Sequence, residues 1–217
     1  MNFLNSIRQR TTRYDSPFPH WEIKQPLTQD ILKEVAGTYV TDAPRVYDGT
    51  RAADNGGNGV DGQMRCYVTD ENVDRFPAIG TLIDEMVSKE CAEAIGDMIG
   101  RDLSGQFLRV EVVCDRKGFW LKPHTDIKEK LMSMLLYVNP HNESETLGTD
   151  IYDGKLNRIK TLRYVDNYGY MFAPAHNTWH GLEKKEIVKE RRAIMINYVT
   201  FPTCWKLPEF GRRRAAA

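Results

Sequence analysis

The sequence predicts a mainly β fold with N-terminal helices, organised as an antiparallel sandwich or jelly-roll barrel. Helical periodicity is confined to the first half of the 217-residue chain. From about residue 104 the pattern changes to short β-branched and aromatic runs that are separated by turn residues. Many short strands without intervening helices are typical of a sandwich or barrel, whereas parallel strands would need crossover helices between them.

We expect one domain over residues 1–217, because a chain of this length can bury a single sizeable core. Residues 1–103 are expected to form a part with helices and strands that packs on the barrel, and residues 104–203 the jelly-roll core. Residues 204–217, which end in three arginines and three alanines, are expected to form a tail.

The N-terminal part contains signals for helices, a strand and a loop. Thr28 is suited to cap a helix whose apolar run ends at Gly37, and the segment PFPHWEIKQPL before it predicts a short strand. Apolar residues at helical spacing predict one helix over 80–100. Residues 49–62 are rich in Gly, Asn and Asp and predict a surface loop, with a lid over a pocket as the alternative.

The second half of the chain contains six candidate strands. Each is a short run of β-branched, aromatic or alternating apolar residues that ends at a turn. In order along the chain, the runs are FLRVEVVCD, KLMSMLLYVN, TDIYDG, RIKTLRYV, GYMFAP and RAIMINYVTF.

The charge balance disfavours a nucleic-acid groove and a polybasic membrane surface. Lys plus Arg and Asp plus Glu each number 30, so the formal net charge is zero. We therefore expect a small-molecule substrate and neither a nucleic-acid nor a membrane partner. The N-terminus has no apolar signal core and no run is long enough to cross a bilayer, which predicts a soluble, cytoplasmic protein.

The four cysteines predict reduced thiols rather than a disulfide framework or a thiolate zinc site. They are widely scattered, and none belongs to a Cys-x-x-Cys pair. Their positions are Cys66, Cys91, Cys114 and Cys204.

A His-x-Asp pair and a second histidine-rich turn predict a metal site. His124 and Asp126 precede the run LMSMLLYVN, and residues two apart in an extended segment point to the same side. About fifty residues later, the turn MFAPAHNTWHGL offers His176 and His180. We expect His180 to be the third ligand, because His-Gly-Leu leads into the next strand. Two histidines and one carboxylate leave open positions on an Fe(II) ion.

The other two histidines are expected to have no role at the metal. His141 lies in a turn after Asn-Pro and is expected to be solvated. His20, between a proline and a tryptophan, is expected to pack or to lie at the surface.

Two arginines open the strand RRAIMINYV and suggest an anion anchor. An arginine inside a barrel needs an anionic partner, because a buried unpaired guanidinium is very costly. A dicarboxylate could supply that partner through a bidentate pair. Strand alternation places Arg191 and Arg192 on opposite faces, and either face could be the inner one. Solvation of both arginines is the alternative.

His124-Thr-Asp126, His180 and an arginine eleven residues later resemble the Fe(II)/2-oxoglutarate-dependent oxygenase superfamily. The order and spacing are most similar to the prolyl-hydroxylase-like branch and its bacterial and phage relatives, over residues 105–200 and the early PFPHW segment. The resemblance implies a double-stranded β-helix, or jelly roll, with Fe(II) on these three residues. It also implies 2-oxoglutarate and O2 as co-substrates, hydroxylation of a substrate, and release of succinate and CO2.

The same resemblance implies which residues hold the co-substrate. Arg191 takes the place of the basic residue that binds the 5-carboxylate, and Ala193 stands where serine is frequent. Tyr137 falls where a related tyrosine touches the same carboxylate. Retention of Asp126 argues against a halogenase, whose relatives typically lack this carboxylate.

Two other function classes stay open from the sequence. One is a non-catalytic cupin-like protein that binds a metal or ligand, and the other is a metal-dependent lyase, hydrolase or isomerase with the same three ligands. Trp120 and Trp179 flank the metal-binding segments and either line the substrate pocket or pack the barrel mouth. Arg109 and Glu111 share one side of a strand, and the sequence does not indicate whether that side faces inward.

Overall fold

The computed structural model describes residues 2–40, 49 and 65–210. Residues 50–62 of the predicted loop, and with them the lid alternative, lie outside the described residues, as do residues 211–217 of the predicted tail. In the described part of the chain, no helix is long and apolar enough to cross a membrane. All four cysteines are free thiols, as predicted.

Among the described residues, four α-helices precede the barrel strands. They are α1 (Phe3–Gln9), α2 (Gln29–Gly37), α3 (Pro77–Val87) and α4 (Lys89–Ile99). Twelve strands are described: β1 (Thr11–Tyr14), β2 (His20–Lys24), β3 (Arg65–Val68), β4 (Phe107–Arg116), β5 (Leu121–His124), β6 (Lys130–Val138), β7 (Asp150–Tyr152), β8 (Arg158–Thr161), β9 (Tyr168–Phe172), β10 (His180–Leu182), β11 (Glu190–Val199) and β12 (Trp205–Lys206).

The strands form two sheets whose described pairings are all antiparallel. The larger sheet has the order β1-β2-β9-β6-β11-β4-β12, and β3 also pairs with β4. The smaller sheet has the order β5-β10-β7-β8. The predicted mainly β, jelly-roll fold with N-terminal helices is confirmed.

Two apolar clusters lie on opposite faces of the larger sheet, because successive strand side chains alternate between faces. One cluster joins the four helices to residues such as Val110, Leu136 and Ile194. The other lies between the two sheets and includes Tyr137 and Ala193. The inner faces of β4, β6 and β11 are therefore the ones that can present side chains to a site inside the barrel.

The predicted elements of the first part are found, with one difference. Thr28 caps α2 by accepting a hydrogen bond from the Ile31 amide, and the helix ends at Gly37 as expected. The single helix predicted over 80–100 is wrong, because two helices are found there. The chain leaves helical geometry at Ser88, whose hydroxyl caps α4 by accepting from the Cys91 amide.

The six predicted barrel strands are all present, but β5 and β10 were not among them. β5 (LKPH) and β10 (HGL) contain a proline and a glycine, which are depleted in strands, and neither shows an alternation of apolar side chains. These are the strands that carry the two histidines of the predicted metal site.

Candidate metal centre and adjoining cavity

The two histidines face each other across neighbouring strands. His180 of β10 is the register partner of His124 of β5, and their ring centroids lie 4.3 Å apart. Each Nδ1 lies 2.9 Å from a backbone carbonyl two residues earlier, that of Lys122 for His124 and that of Thr178 for His180. Because a carbonyl can only accept, each Nδ1 carries the proton and each Nε2 carries the lone pair. This tautomer suits metal ligation through Nε2.

Asp126 completes the cluster from the loop after β5. Its Oδ2 lies 4.0 Å from His180 Nε2, and one ligand atom from each of the three residues falls within 4.8 Å of the others. Lys130 donates to Oδ1 and Ser133 donates to Oδ2, both at 2.6 Å. Two imidazole nitrogens and one carboxylate oxygen at this spacing fit a divalent transition-metal ion such as Fe(II).

The electrostatics of the cluster favour the ligand forms of these side chains. Burial, followed by the nearby charge of His180, lowers the pKa of His124 to about 3, so its ring is neutral near pH 7. Burial alone would raise the pKa of Asp126, but Lys130, His180 and Ser133 together hold it well below its usual range. A neutral imidazole and a charged carboxylate are the states that bind a metal ion.

The cluster opens into a cavity of about 190 Å³ between the two sheets. Phe172 forms part of the wall and packs edge-on against His180 at 5.0 Å between ring centroids. Other apolar side chains, such as Val113, Leu135 and Met195, also line the wall. Its polar and charged side chains beyond the metal cluster include Arg65, Arg109, Asp115, Lys130, Ser133, Thr149, Tyr170, Arg191 and Asn197.

Arg191 also lines this cavity and is 5% exposed. Its Nη1 donates to Asp115 Oδ2 at 2.5 Å, and its Nε donates to the Leu147 carbonyl at 2.6 Å. Burial alone would lower the pKa of Arg191, but the Asp115 carboxylate raises it, so the guanidinium stays charged. The buried cation that the sequence predicts therefore has an anionic partner within the chain.

Tyr137 supports this end of the cavity from behind. Its hydroxyl donates to Thr149 Oγ1 at 2.9 Å and accepts from the Thr149 amide at 3.0 Å. Its ring lies under the guanidinium of Arg191, 5.4 Å from Cζ. Thr149 and Tyr170 line the cavity wall, whereas Tyr137 is not among the described lining residues.

Arg192 points to the other face of the sheet. Its Nη1 donates to the backbone carbonyls of Val35 and Thr38 at 2.9 and 2.6 Å, and its Nε donates to Glu190. The guanidinium thus ties β11 to the C-terminal end of α2. Of the two arginines considered from the sequence, Arg191 is the one that faces the cavity.

The remaining histidines lie apart from the cluster. His176 is exposed, as is His141, which bonds Glu190 Oε1 at 3.1 Å. His20 is fully buried and stacks on Tyr14 at 5.3 Å between ring centroids, which is a packing role.

The two flanking tryptophans, Trp120 and Trp179, are not among the described cavity-lining residues. Trp120 instead lies beneath the ammonium groups of Lys184 and Lys122, at 4.7 and 5.9 Å from its ring centroid. The described contacts of Trp120 therefore favour the packing alternative for that residue.

Several residues of the cavity wall were not predicted from the sequence. Asp115 lies opposite Arg191 in the β4–β11 register, and Asn197 lies opposite both Arg109 and Ser133. Strand alternation could have placed them on the inner face, but only the register of three strands identifies their partners. The same register answers the question left open for Arg109, which does face inward.

No protein-family model matches the chain, and no significant match is found among curated proteins. Solved structures are similar in fold. The prolyl-4-hydroxylase of Pseudomonas putida matches with a TM-score of 0.59 and 11% identity, over 92% of this chain and all of that one. A prolyl 4-hydroxylase of Phytophthora capsici matches with a TM-score of 0.55 and 11% identity, over 83% of this chain and 58% of that one.

A third similar structure carries a bound peptide. It is a prolyl hydroxylase of Trichoplax adhaerens in complex with a fragment of a hypoxia inducible factor oxygen degradation domain. It matches with a TM-score of 0.53 and 13% identity, over 91% of this chain and 87% of that one. The expected resemblance to the prolyl-hydroxylase-like branch of the 2-oxoglutarate- and Fe(II)-dependent oxygenases is thereby confirmed at the level of the fold.

Proposed function

We propose that the chain is an Fe(II)- and 2-oxoglutarate-dependent dioxygenase that hydroxylates a small-molecule or carrier-bound substrate and releases succinate and CO2. The observation that carries this proposal is the cavity that joins His124, Asp126 and His180 to the buried guanidinium of Arg191. A metal at one end and a cation at the other suit a dicarboxylate that chelates the ion and anchors its far end. The fold shared with prolyl hydroxylases supports the same reaction class.

Each group of the site has a defined part in this proposal. His124, Asp126 and His180 hold Fe(II) on one face, and the ion supplies the oxidative chemistry with 2-oxoglutarate and O2 when it is bound. Arg191 binds the 5-carboxylate, and Tyr137 steadies Thr149 and the guanidinium from behind. The apolar walls, including Phe172, exclude water from the reacting groups.

Asp115 sets a condition on the co-substrate. An incoming carboxylate must either bond guanidinium protons that Asp115 leaves available or displace Asp115 from Arg191. An arginine has five N–H donors. Asp115 and Leu147 accept two of them, and Thr149 Oγ1 accepts a third from Nη2 at 3.5 Å. Co-substrate binding beside Asp115 is therefore chemically possible, at the cost of like-charge repulsion.

The size of the cavity supports a small substrate. Its volume of about 190 Å³ lies below the usual range of ligand pockets, roughly 300–1,000 Å³. This supports a small reacting group beside the metal. A peptide is the alternative substrate class, because the similar Trichoplax adhaerens structure holds one.

A second candidate function is a cupin-like protein that binds a metal or ligand without oxygenase activity, or a lyase or hydrolase with the same ligands. The Arg191–Asp115 ion pair favours it, since that pair already satisfies the arginine without a dicarboxylate. Such a protein would bind the metal but not 2-oxoglutarate.

The deciding experiment is an anaerobic titration of 2-oxoglutarate into the Fe(II)-loaded protein. Chelation of the ion gives a weak visible charge-transfer band, which the dioxygenase proposal expects to saturate with added co-substrate. Bound Fe(II) without that band would overturn the proposal in favour of the second candidate.

A further inference from the structure

A chain of four hydrogen-bonded side chains ends on the carboxylate of the metal site. Arg109 Nη2 donates to Asn197 Oδ1 at 2.8 Å, and Asn197 Nδ2 donates to Ser133 Oγ at 3.1 Å. Ser133 Oγ then lies 2.6 Å from Asp126 Oδ2. Asp126 is one of the three predicted metal ligands. The other three residues are not part of that ligand set.

The chemistry of each group fixes the direction of every bond in the chain. A guanidinium can only donate, so it holds the amide oxygen of Asn197 and turns the amide NH2 toward Ser133. Ser133 has a single hydroxyl proton and receives one bond from Asn197. Its proton is therefore directed to Asp126, whose carboxylate can only accept.

The backbone holds these side chains in a rigid frame. Asn197 is fully buried in β11 and is the register partner of Arg109 in β4 on one side and of Ser133 in β6 on the other. Three neighbouring strands thus set the spacing between the hydrogen-bonded side chains. Sites built on strands hold their geometry better than sites built on loops.

The last bond of the chain reaches the oxygen that matters for the metal. Ser133 contacts Oδ2 of Asp126, the oxygen that lies 4.0 Å from His180 Nε2, while Lys130 contacts Oδ1. Asp126 itself lies in the loop between β5 and β6 and not in a strand. Without Ser133, rotation of its carboxylate would be restrained only from the Lys130 side.

We propose that Ser133 and Asn197 are positioning residues that aim one oxygen of Asp126 at the metal. Asn197 acts through Ser133 by fixing the direction of its hydroxyl proton. This inference rests on the proposed metal-binding function. Hydrogen-bonded partners of metal ligands typically change metal affinity about 10–100-fold when they are removed.

The test measures Fe(II) affinity by anaerobic equilibrium dialysis of the full chain, with Co(II) as a second, spectroscopic probe. Ser133→Ala is expected to weaken binding by about 10-fold or more. Ser133→Thr keeps the hydroxyl and is expected to restore most of the affinity, because its methyl group can extend into the cavity. Ser6→Ala is the matched control, since Ser6 is a buried serine of α1 with only the Asn2 and Gln25 carbonyls as partners.

A double-mutant cycle tests the relay from Asn197 to Ser133. Asn197→Leu is expected to weaken metal binding less than Ser133→Ala, because Ser133 can still donate to Asp126. The double variant is expected to match Ser133→Ala alone, since Asn197 acts through that hydroxyl. Thermal unfolding of the metal-free variants checks that each one folds.

The outcomes separate this inference from the proposed function. Wild-type protein that binds neither Fe(II) nor Co(II) would overturn both. Wild-type protein that binds the metal, with Ser133→Ala and Ser6→Ala of equal affinity, overturns the inference alone. Additive losses in the double variant overturn the relay and leave Asn197 as a structural residue.

Discussion

The two ends of the cavity differ in whether their charged side chains are already paired within the protein. At the metal end, two imidazoles carry lone pairs on Nε2, and a carboxylate faces them. At the other end, the positive charge of Arg191 is already matched by Asp115. The metal end is therefore arranged to bind a cation. At the other end, the cation is already paired within the protein, although some guanidinium N–H groups are still available to a ligand.

This difference teaches which part of the assignment the structure supports most strongly. The metal end brings together three ligand atoms within 4.8 Å, and its electrostatics keep His124 neutral and Asp126 charged. At the anchor end, the expected partner of the arginine competes with a side chain of the protein. Substitutions at the two ends should therefore have separable effects on metal and on co-substrate.

The largest expected effect is loss of the metal in His180→Ala. Removing one of three ligands should lower Fe(II) affinity by more than the roughly 10–100-fold typical of outer residues. His176→Ala is the matched control, because His176 is exposed in the same turn region and should leave affinity unchanged. Both are measured by anaerobic dialysis, and full affinity in His180→Ala with loss in His176→Ala would show that the wrong histidine was chosen.

The next largest effect concerns Arg191 and the co-substrate. Because a hydrogen bond to a charged group contributes about 1.5–3 kcal/mol, removing the guanidinium should weaken 2-oxoglutarate binding about 10–100-fold while Fe(II) affinity holds. Arg191→Met alone would leave a buried unpaired carboxylate and cost about 3–5 kcal/mol of stability. The double variant with Asp115→Asn avoids this cost and is the form to titrate.

Arg192→Met is the control for that titration. Arg192 bonds the Val35 and Thr38 carbonyls on the helix side of the sheet, so its loss should lower stability and leave 2-oxoglutarate affinity intact. Weaker co-substrate binding in Arg192→Met than in the Arg191 double variant would reverse the assignment of the two arginines.

The sequence alone predicts the fold and the residues of the metal cluster, but it predicts few of the residues that line the cavity wall. Six barrel strands were identified by their length and alternation, and the parity of β11 separated Arg191 from Arg192. These features depend on neighbours in the chain. β5 and β10 contain a proline and a glycine and lack such a signal, although they bring His124 and His180 together.

The partners of Arg191 and Asp126 depend on strand register instead. Asp115 is 76 residues before Arg191, and Asn197 is 64 residues after Ser133. Pairing between strands so far apart follows from the whole sheet and not from a local pattern. For this reason the sequence predicts that Arg191 has an anionic partner, but not which one. The expected partner was a bound dicarboxylate, whereas the structure shows Asp115 in that place.

A smaller effect is expected from Asp115→Asn on its own. If the aspartate repels the co-substrate carboxylate, the isosteric amide should tighten 2-oxoglutarate binding by about fivefold, equivalent to about 1 kcal/mol of relieved repulsion. Without metal and ligand, the Asp115→Asn variant should unfold at a lower temperature than the wild type, because Arg191 loses its anionic partner. Added 2-oxoglutarate should then raise the unfolding temperature more than in the wild type. Weaker binding would mean that Asp115 holds Arg191 in place for the ligand.

The smallest expected effect is that of Tyr137→Phe. The substitution keeps the ring under Arg191 and removes only the hydroxyl that bonds Thr149, so 2-oxoglutarate affinity should fall about twofold to threefold, as expected from about 0.5 kcal/mol. Tyr164→Phe is a close control, because that ring also lies near Arg191, at 5.7 Å, while its hydroxyl bonds the Val138 carbonyl. Isothermal titration of 2-oxoglutarate into both variants distinguishes an effect of the contact with Thr149 from a general effect of losing a tyrosine hydroxyl near Arg191. Equal losses would mean that the effect does not depend on the contact with Thr149, whereas loss only in Tyr137→Phe places Thr149 on the path between Tyr137 and the co-substrate.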